Sequence, residues 1–454
     1  MSKGSDLSAL QADLKEKGVE VLFGAYVDIH GVPKSKAVPI DKLQQWANGS
    51  ELYTVGALEG MGPLGPNEDE CVSIPDTEAL VQLPWEPRYA VAPADLYFHD
   101  KPYTYDSRAM LKRQVERAAE FGYKVNVGIE PEVYVYREGE SGPEPFIAED
   151  LDNEPTDGYD LEATILAEPF LEPMVRYMNQ LGWGLYSFDH EGGNGQYEFD
   201  FSYTDALGMA DRMIVFRLMA KAVARSIGCF ASFMPKPTST AFGSGAHINI
   251  SLADAETGAN LLEGKGERGY VAGYSDLALS FTAGILSHAD GLSAVLCPTV
   301  NSYKRLLPRG LMNEISWAPV FKAYGSNNRT LMCRLPVNRR CLEIRNADSA
   351  ANLYQALAVS IAAGLDGIER ELDPGPAINF DTYTKSKDEL AAAGVHRLPR
   401  NLGEALDAFL VDSVIADAYG KEFHADFEAY KRLEWDEYNT VVGQWEVEKY
   451  LRLW

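Results

Sequence analysis

The run Phe188-Asp189-His190-Glu191-Gly192-Gly193-Asn194-Gly195-Gln196-Tyr197-Glu198-Phe199-Asp200-Phe201 places acidic side chains on both sides of a glycine-rich turn between two strand-like stretches. The strands of a hairpin lie about 5 Å apart, so Glu191 and Glu198 can converge on one cation. Taken alone, the same run also fits an acidic surface hairpin. A second carboxylate pair lies in Tyr123 to Arg137, where Val125, Val127, Ile129, Val133 and Val135 alternate with Glu130, Glu132, Tyr134 and Tyr136. Period two puts Glu130 and Glu132 on one face, roughly 7 Å apart. His247, Asn249 and Ser251 oppose Ile248 and Ile250 in the same manner, and Glu343 shares a face with Arg345. A solvated sheet also alternates. The recurrence of carboxylates, a histidine and arginines beside glycine loops points instead to a site. Clustered like charges are costly unless a cation neutralises them. Five glutamates and one histidine, without cysteine ligands, suit hard divalent cations such as Mg²⁺ or Mn²⁺ rather than structural zinc. Two metals flanked by arginines suit phosphoryl transfer, where catalysis is mostly positioning and charge neutralisation.

These faces need strands behind them, and the chain changes character before they begin. Residues 6–19 have helical spacing, and Val21 to Ile29 form a strand-like run. Loops such as Gly60-Met61-Gly62-Pro63-Leu64-Gly65-Pro66 and short strands continue to about Tyr105, predicting a small, mostly β domain over residues 1–106. Ser107 is expected to cap a helix with Met110, Leu111, Val115 and Ala118 on one face and Gly122 as its stop. Beyond it, strands alternate with amphipathic helices such as Thr204 to Ile227, whose Met209, Met213, Phe216, Ala220, Val223 and Ile227 read as core. Residues 107–454 are therefore expected to form one larger α/β domain, making the chain α+β. The aromatic-ended segment 445–454 is expected to pack on another element or subunit.

A length of 454 residues favours two units over one core. The net charge of -26, with no clustered Lys/Arg, excludes a nucleic-acid backbone as partner. No N-terminal stretch has signal-peptide character and none approaches a membrane span of about eighteen apolar residues, so a cytoplasmic protein is expected. Five scattered cysteines without a CxxC spacing read as reduced thiols.

Several segments together carry a resemblance. Glu130-Pro131-Glu132, His190-Glu191 through Gln196-Tyr197-Glu198, Phe233-Met234-Pro235-Lys236-Pro237 with Gly243-Ser244-Gly245-Ala246-His247, Asn301-Ser302-Tyr303-Lys304-Arg305, Asn328-Arg329, and Glu343-Ile344-Arg345 stand in this order, followed by Arg397-Leu398-Pro399-Arg400-Asn401-Leu402-Gly403-Glu404-Ala405-Leu406. In that order the chain resembles the glutamine synthetase family over nearly its whole length. The resemblance implies an N-terminal β-grasp domain and a catalytic domain whose mainly antiparallel strands form an open, funnel-shaped barrel. It implies one metal held by Glu132, Glu191 and Glu198 and another by Glu130, His247 and Glu343, with ATP as cosubstrate. It further implies Arg305 and Arg345 on the carboxylates of L-glutamate, and Gly243 in the glycine loop beside that substrate. Arg329 and Arg334 would face the transferring phosphoryl group, and Asn249 and Ser251 the nucleotide. The implied chemistry is attack of the γ-carboxylate on the γ-phosphate of ATP, then displacement of phosphate by an amine. Ring assemblies, commonly two stacked hexamers, are implied as well.

The chain also departs from the family. Relatives that use ammonia carry a flap glutamate before an Ala-Pro, whereas this chain has Ser316-Trp317-Ala318-Pro319. An indole accepts no proton from ammonium, but its face attracts an alkylammonium by about 0.5–2 kcal/mol. Glu314 is the nearest carboxylate, as substitute base or as solvated loop residue. The Trp317 flap and Asp189-His190-Glu191 resemble the type III branch, which points to methylamine as the amine, with ammonia, or a noncatalytic member, as alternatives. Asn249 replaces a common second histidine, Phe242 a common asparagine, and Cys341 a nucleotide-side arginine, for which Arg339 or Arg340 is the expected substitute.

Overall fold

The computed structural model describes residues 7–140, 142–146, 158–309 and 316–454. Among them, an eight-stranded N-terminal sheet has Val21–Val27 and Tyr89–Phe98 paired in parallel at its centre. Cys71–Pro75 and Glu51–Tyr53 continue one side, and Pro33–Lys34 closes the other. Leu14, Leu22, Val38, Leu43 and Trp46 form a small separate core from the helices Leu7–Glu16 and Leu43–Ala47 and this sheet. This is the β-grasp layout. The sheet's last strand is Lys101–Pro102, and the helix Ser107–Glu120 follows.

The second sheet has eleven strands and curls into an open half-barrel. Its axis is the long strand Tyr123–Gly139. On one edge this strand pairs antiparallel with Ala246–Asp254, and on the other with Gln196–Phe201. Leu342–Ile344, Leu331–Arg334 and Phe321–Gly325 extend the sheet beyond Ala246–Asp254. Val125, Val127, Ile129, Val133 and Val135 are all buried, as their alternation requires, and anchor one face to the helical layer. That layer includes Ala206–Ser226, whose methionines are buried, and Leu353–Glu369, which is apolar almost all round and lies at the centre.

Several sequence expectations shift by one to three residues. The helix expected over 6–19 runs Leu7–Glu16, and the strand stops at Val27. The helix expected to begin at Thr204 begins at Ala206, capped by Asp205. Asp106, not Ser107, caps Ser107–Glu120 by accepting from the Arg108 N–H. The Ser107 hydroxyl is buried instead, accepting from Asn352 (3.1 Å) and Gln355 (3.0 Å). Gly122 does follow the helix end, at φ +78°, where a side chain would be strained. Trp445 and Trp454 are 64% and 92% exposed, and each ring meets Tyr450 of its own segment. All five cysteines are free and buried. No helix among the described residues is long and apolar enough to cross a membrane.

One ion cluster joins the N-terminal sheet to the helical layer. Arg108, 2% exposed, donates to Asp76 (2.8 Å), Asp95 (2.9 Å) and Asp211 (3.0 Å), so that the N-terminal sheet, the first long helix and Ala206–Ser226 meet on one guanidinium. Breaking a buried pair strands the remaining charges, so Arg108→Met should lower stability by about 3–5 kcal/mol in urea unfolding. His288 forms a second knot, with Asp412 (2.7 Å) on Nδ1 and Asp366 (3.0 Å) on Nε2. Burial alone would lower its pKa, but the two carboxylates outweigh burial and hold it above the ordinary value. The stability contributed by its protonation is complete below the unfolded pKa of about 6.5 and is lost as pH rises through the raised folded value. Unfolding curves from about pH 6 to 9 should therefore show wild type losing stability relative to His288→Gln as pH rises.

Candidate active site

Strand register builds the centre of the site. His247 lies directly opposite Glu130, and Glu198 opposite Glu132, on the two edges of Tyr123–Gly139. One strand further, Glu343 faces Asn249 on one side and Arg334 on the other. Glu191 opens the hairpin turn, its N–H donating to the Gln196 carbonyl (2.9 Å). Ligand atoms of Glu130, Glu198 and His247 all lie within 4.8 Å of one another. Glu198 thus borders both expected ligand sets.

The carboxylates carry the electrostatic signature of this crowding. Burial and the charge of Glu191 push Glu132 above the ordinary carboxylate range. Burial and the neighbouring Glu132, Glu130 and Glu191 push Glu198 far above it. Burial also raises Glu191, against the pull of the Gly192 N–H and Arg329. Glu130 goes the other way: burial opposes its charge, but His247, Arg339 and Asn249 outweigh it. An oxygen-rich set whose members raise one another's pKa fits a hard divalent cation, which would reverse those shifts.

Two cavities meet along Glu191, His247, Arg329 and Arg345. The larger, about 540 Å³, is lined by Glu132, Arg305, Gly243 and three aromatic residues, Tyr159, Phe242 and Trp317. The smaller, about 230 Å³, holds Glu130, Glu198, Glu343, Arg334 and Arg339 with Asp189 and Asp200. Arg305 is 7% exposed and donates to the carbonyls of Asn346 (3.0 Å) and Arg345 (3.1 Å). The glycine loop packs against it: a Cβ on Gly243 would lie 2.5 Å from the Arg305 side chain, and one on Gly245 would lie 2.8 Å from both Arg305 and Glu132. Glu132 Oε2 accepts from the Gly245 N–H (2.8 Å) and from Gln196 (2.9 Å). Asn301 ties this loop down through both polar groups of the Lys236 backbone. Arg329 is exposed and lines both cavities.

The remaining expected residues are distributed unevenly. Arg345 ion-pairs with Glu343, and Arg334 does so at 2.9 Å. Asn249 donates to Glu130 (3.0 Å), while Ser251, two residues on, lines neither cavity. Arg340 turns away to the carbonyl of Val337 (2.9 Å) and over the Tyr274 ring, and its neighbour Arg339 reaches Glu130 and Glu343. Trp317 is 56% exposed at φ +57°, and its flap is held by the Tyr383 hydroxyl on the Ala318 carbonyl. Glu314 lies outside the described residues. Sequence reasoning passed over Tyr159, Tyr203, Asp189 and Asp200. Tyr203 is 69% exposed and flanks Gly128 on the edge opposite Asn249. The two aspartates were legible, because they share the period-two face of Glu191 and Glu198. Tyr159, at φ +66° in a loop, obeys no periodicity.

Comparison with known proteins accords with this geometry. The model of the glutamine synthetase catalytic domain matches residues 104–450. A glutamate–methylamine ligase of Methyloversatilis universalis is 39% identical, covering 98% of this chain and 99% of its own. A glutamine synthetase of Rhizobium leguminosarum bv. phaseoli is 34% identical, covering 96% and 98%. A solved GmaS/ADP complex superposes with a TM-score of 0.89 at 36% identity, covering 97% of this chain and 99% of that one. The chain belongs to the glutamine synthetase family.

The tight fit of the glycine loop is testable. Gly245→Ala must displace Arg305 or Glu132, and misplacements of about 1 Å cost up to roughly a hundredfold in rate. We expect kcat/KM to fall by at least about tenfold while the circular dichroism spectrum and melting temperature hold.

Proposed function

We propose that this protein is an ATP-dependent glutamate–methylamine ligase that joins methylamine to the γ-carboxylate of L-glutamate through a γ-glutamyl phosphate, releasing ADP and phosphate. The observation that carries the choice of amine is the flap: Trp317 replaces the usual glutamate and, with Tyr159 and Phe242, lines the cavity beside Glu132 and Glu191. An aromatic wall suits a methylated ammonium better than bare ammonium, because it offers both a cation-attracting face and apolar surface. The similarity to the glutamate–methylamine ligase supports the same reading.

In this reading Arg305 and Arg345 clasp the carboxylates of glutamate, a task for planar guanidinium donors. The locked pose of Arg305 means that little of its freedom is lost on binding. Arg329 and Arg334 receive the negative charge of the phosphoryl group in transfer. Ser251 and Asn249 are the residues proposed on the nucleotide side. Arg339 takes the place expected of Arg340. Glu130, His247 and Glu343, and Glu132, Glu191 and Glu198, hold two divalent cations, Mg²⁺ or Mn²⁺. When bound, the cations neutralise phosphate charge and draw ATP and the γ-carboxylate together. The flap of Ser316 to Ala318 keeps water from the acyl phosphate. Glu314, four residues before Ala318, is the proposed acceptor of the amine's proton.

We further place the domain division at residues 106 and 107, the assembly as a dodecamer of two stacked hexamers, and the enzyme in the cytoplasm. The apolar side chains exposed at Trp445, Leu451, Leu453 and Trp454 are consistent with subunit burial.

A coupled assay for ADP release tests the amine. We expect glutamate plus methylamine to turn over faster than glutamate plus ammonia, and Trp317→Ala to raise the KM for methylamine about two- to thirtyfold, the equivalent of about 0.5–2 kcal/mol. Equal or faster turnover with ammonia would sink the assignment in favour of a glutamine synthetase, and no turnover with either amine would favour a noncatalytic relative.

A further inference from the structure

Arg339 touches the site in a way that phosphate binding alone does not explain. One of its terminal nitrogens, Nη2, donates to Glu130 Oε1 (2.7 Å) and to Glu343 Oε2 (3.1 Å). These are the two carboxylates that, with His247, make up one proposed cation set. Their oxygens are already heavily used. Glu343 Oε2 also accepts from Arg334 (2.9 Å), and its Oε1 accepts from Arg345. Glu130 Oε1 also accepts from Asn249 (3.0 Å), and its Oε2 faces His247 Nδ1 (3.2 Å). A carboxylate has about four acceptor directions, so each of these two keeps roughly one free.

The three arginines on Glu343 differ in their freedom to leave. The side chains of Arg345 and Arg334 are 5% and 14% exposed, whereas that of Arg339 is 38% exposed. Arg339 sits in the loop between Leu331–Arg334 and Leu342–Ile344, which gives it slack the strand residues lack. Its Nε and that of Arg334 are buried without a hydrogen-bond partner, and both side chains line the smaller cavity with Arg329 and Asn338. A guanidinium leaving the carboxylates therefore stays in a cavity already furnished with donors for an anion.

We propose that Arg339 and the divalent cation compete for Glu130 and Glu343, and that the guanidinium displaced by the cation is taken up by the phosphates of the nucleotide. The inference rests on the ligase reading above. Arg339 is then a positioning residue that couples two ligands. It opposes the cation in the absence of nucleotide, and nucleotide removes that opposition by giving the guanidinium another partner. By linkage, the cation strengthens nucleotide binding by the same factor.

Titration calorimetry of the full chain with Mn²⁺, without and with ADP, tests this with no dependence on turnover. Arg339→Met should tighten Mn²⁺ binding by about tenfold in the absence of nucleotide and reduce the further tightening produced by ADP. Arg339→Lys, which keeps the charge but not the guanidinium fork, should fall between the two and carries the comparison if the methionine variant does not fold. Unchanged or weaker Mn²⁺ binding in a folded variant, the outcome of a purely structural role, overturns the proposal. Failure of the unaltered chain to bind Mn²⁺ overturns the ligase reading, and the proposal with it.

Discussion

The site depends on the register of one strand. Tyr123–Gly139 is paired on both edges, and its apolar face is buried in the helical layer. A slip of one residue on either edge would turn every alternate side chain to the opposite face. Glu130 would enter the core and its valine neighbours would enter the cavity. The energy that holds the register is hydrophobic burial, at roughly 25 cal/mol per Å² of apolar surface. The functional carboxylates contribute little to it. This separation lets the polar face be chosen for chemistry, because the fold does not depend on attraction among the groups it displays.

That polar face opposes folding. Glu132, Glu191 and Glu198 are held away from water, and burial disfavours ionisation of all three; Glu191 adds to this at Glu132, and Glu132, Glu130 and Glu191 add to it at Glu198. Arginines offset part of the cost on the Glu130 and Glu343 side, where three charged or polar partners, His247, Arg339 and Asn249, keep the charge on Glu130. Around Glu132 compensation comes from the nearby Arg305 charge, the Gly245 N–H and Arg345, with the Gln196 amide as a further donor. The two halves therefore differ in contact: arginines pair directly with Glu130 and Glu343, whereas Arg305, Arg329 and Arg345 act on Glu132 and Glu191 through their charge across the cavity. Strongly shifted carboxylates gathered in a cleft mark a functional site more often than a structural one.

Much of this was legible because period two is a strong signal. The buried valines of Tyr123–Gly139, the faces bearing Glu130, Glu132, His247 and Glu343, and the hairpin of Glu191 and Glu198 all follow from alternation alone. The failures came where neighbouring residues have similar chemistry and a distant contact decides between them. Asp106 and Ser107 can each cap a helix. Asn352 and Gln355, far along the chain, engage the serine hydroxyl and leave the cap to the aspartate. Arg339 and Arg340 are adjacent and equally charged, and the path of the loop alone sends one to the carboxylates and the other over Tyr274. Loop residues such as Tyr159 lack any periodicity to betray them.

The chemistry and the choice of amine are built from different material. Five of the six proposed cation ligands, Glu130, Glu132, Glu198, His247 and Glu343, stand on paired strands, where hydrogen-bonded neighbours fix each Cα. The aromatic residues beside them stand on loops, and two of them, Tyr159 and Trp317, adopt the left-handed backbone at φ +66° and +57°. Such a conformation costs a side chain of this size about 1–3 kcal/mol, and it persists only where the surroundings impose it. For Trp317 two contacts brace the loop: the Ala318 N–H, in the peptide that follows Trp317, donates to the Ser316 hydroxyl (3.3 Å), and Tyr383 holds the Ala318 carbonyl. The chain therefore spends strain on an exposed aromatic residue whose burial contributes little to stability. A binding role for the ring accounts for that expense, because a relaxed loop would carry the indole away from the cavity that Glu132 and Glu191 share. On the proposed reading, a change of amine in such a scaffold would fall on the loops and leave the strand-borne ligand set unchanged.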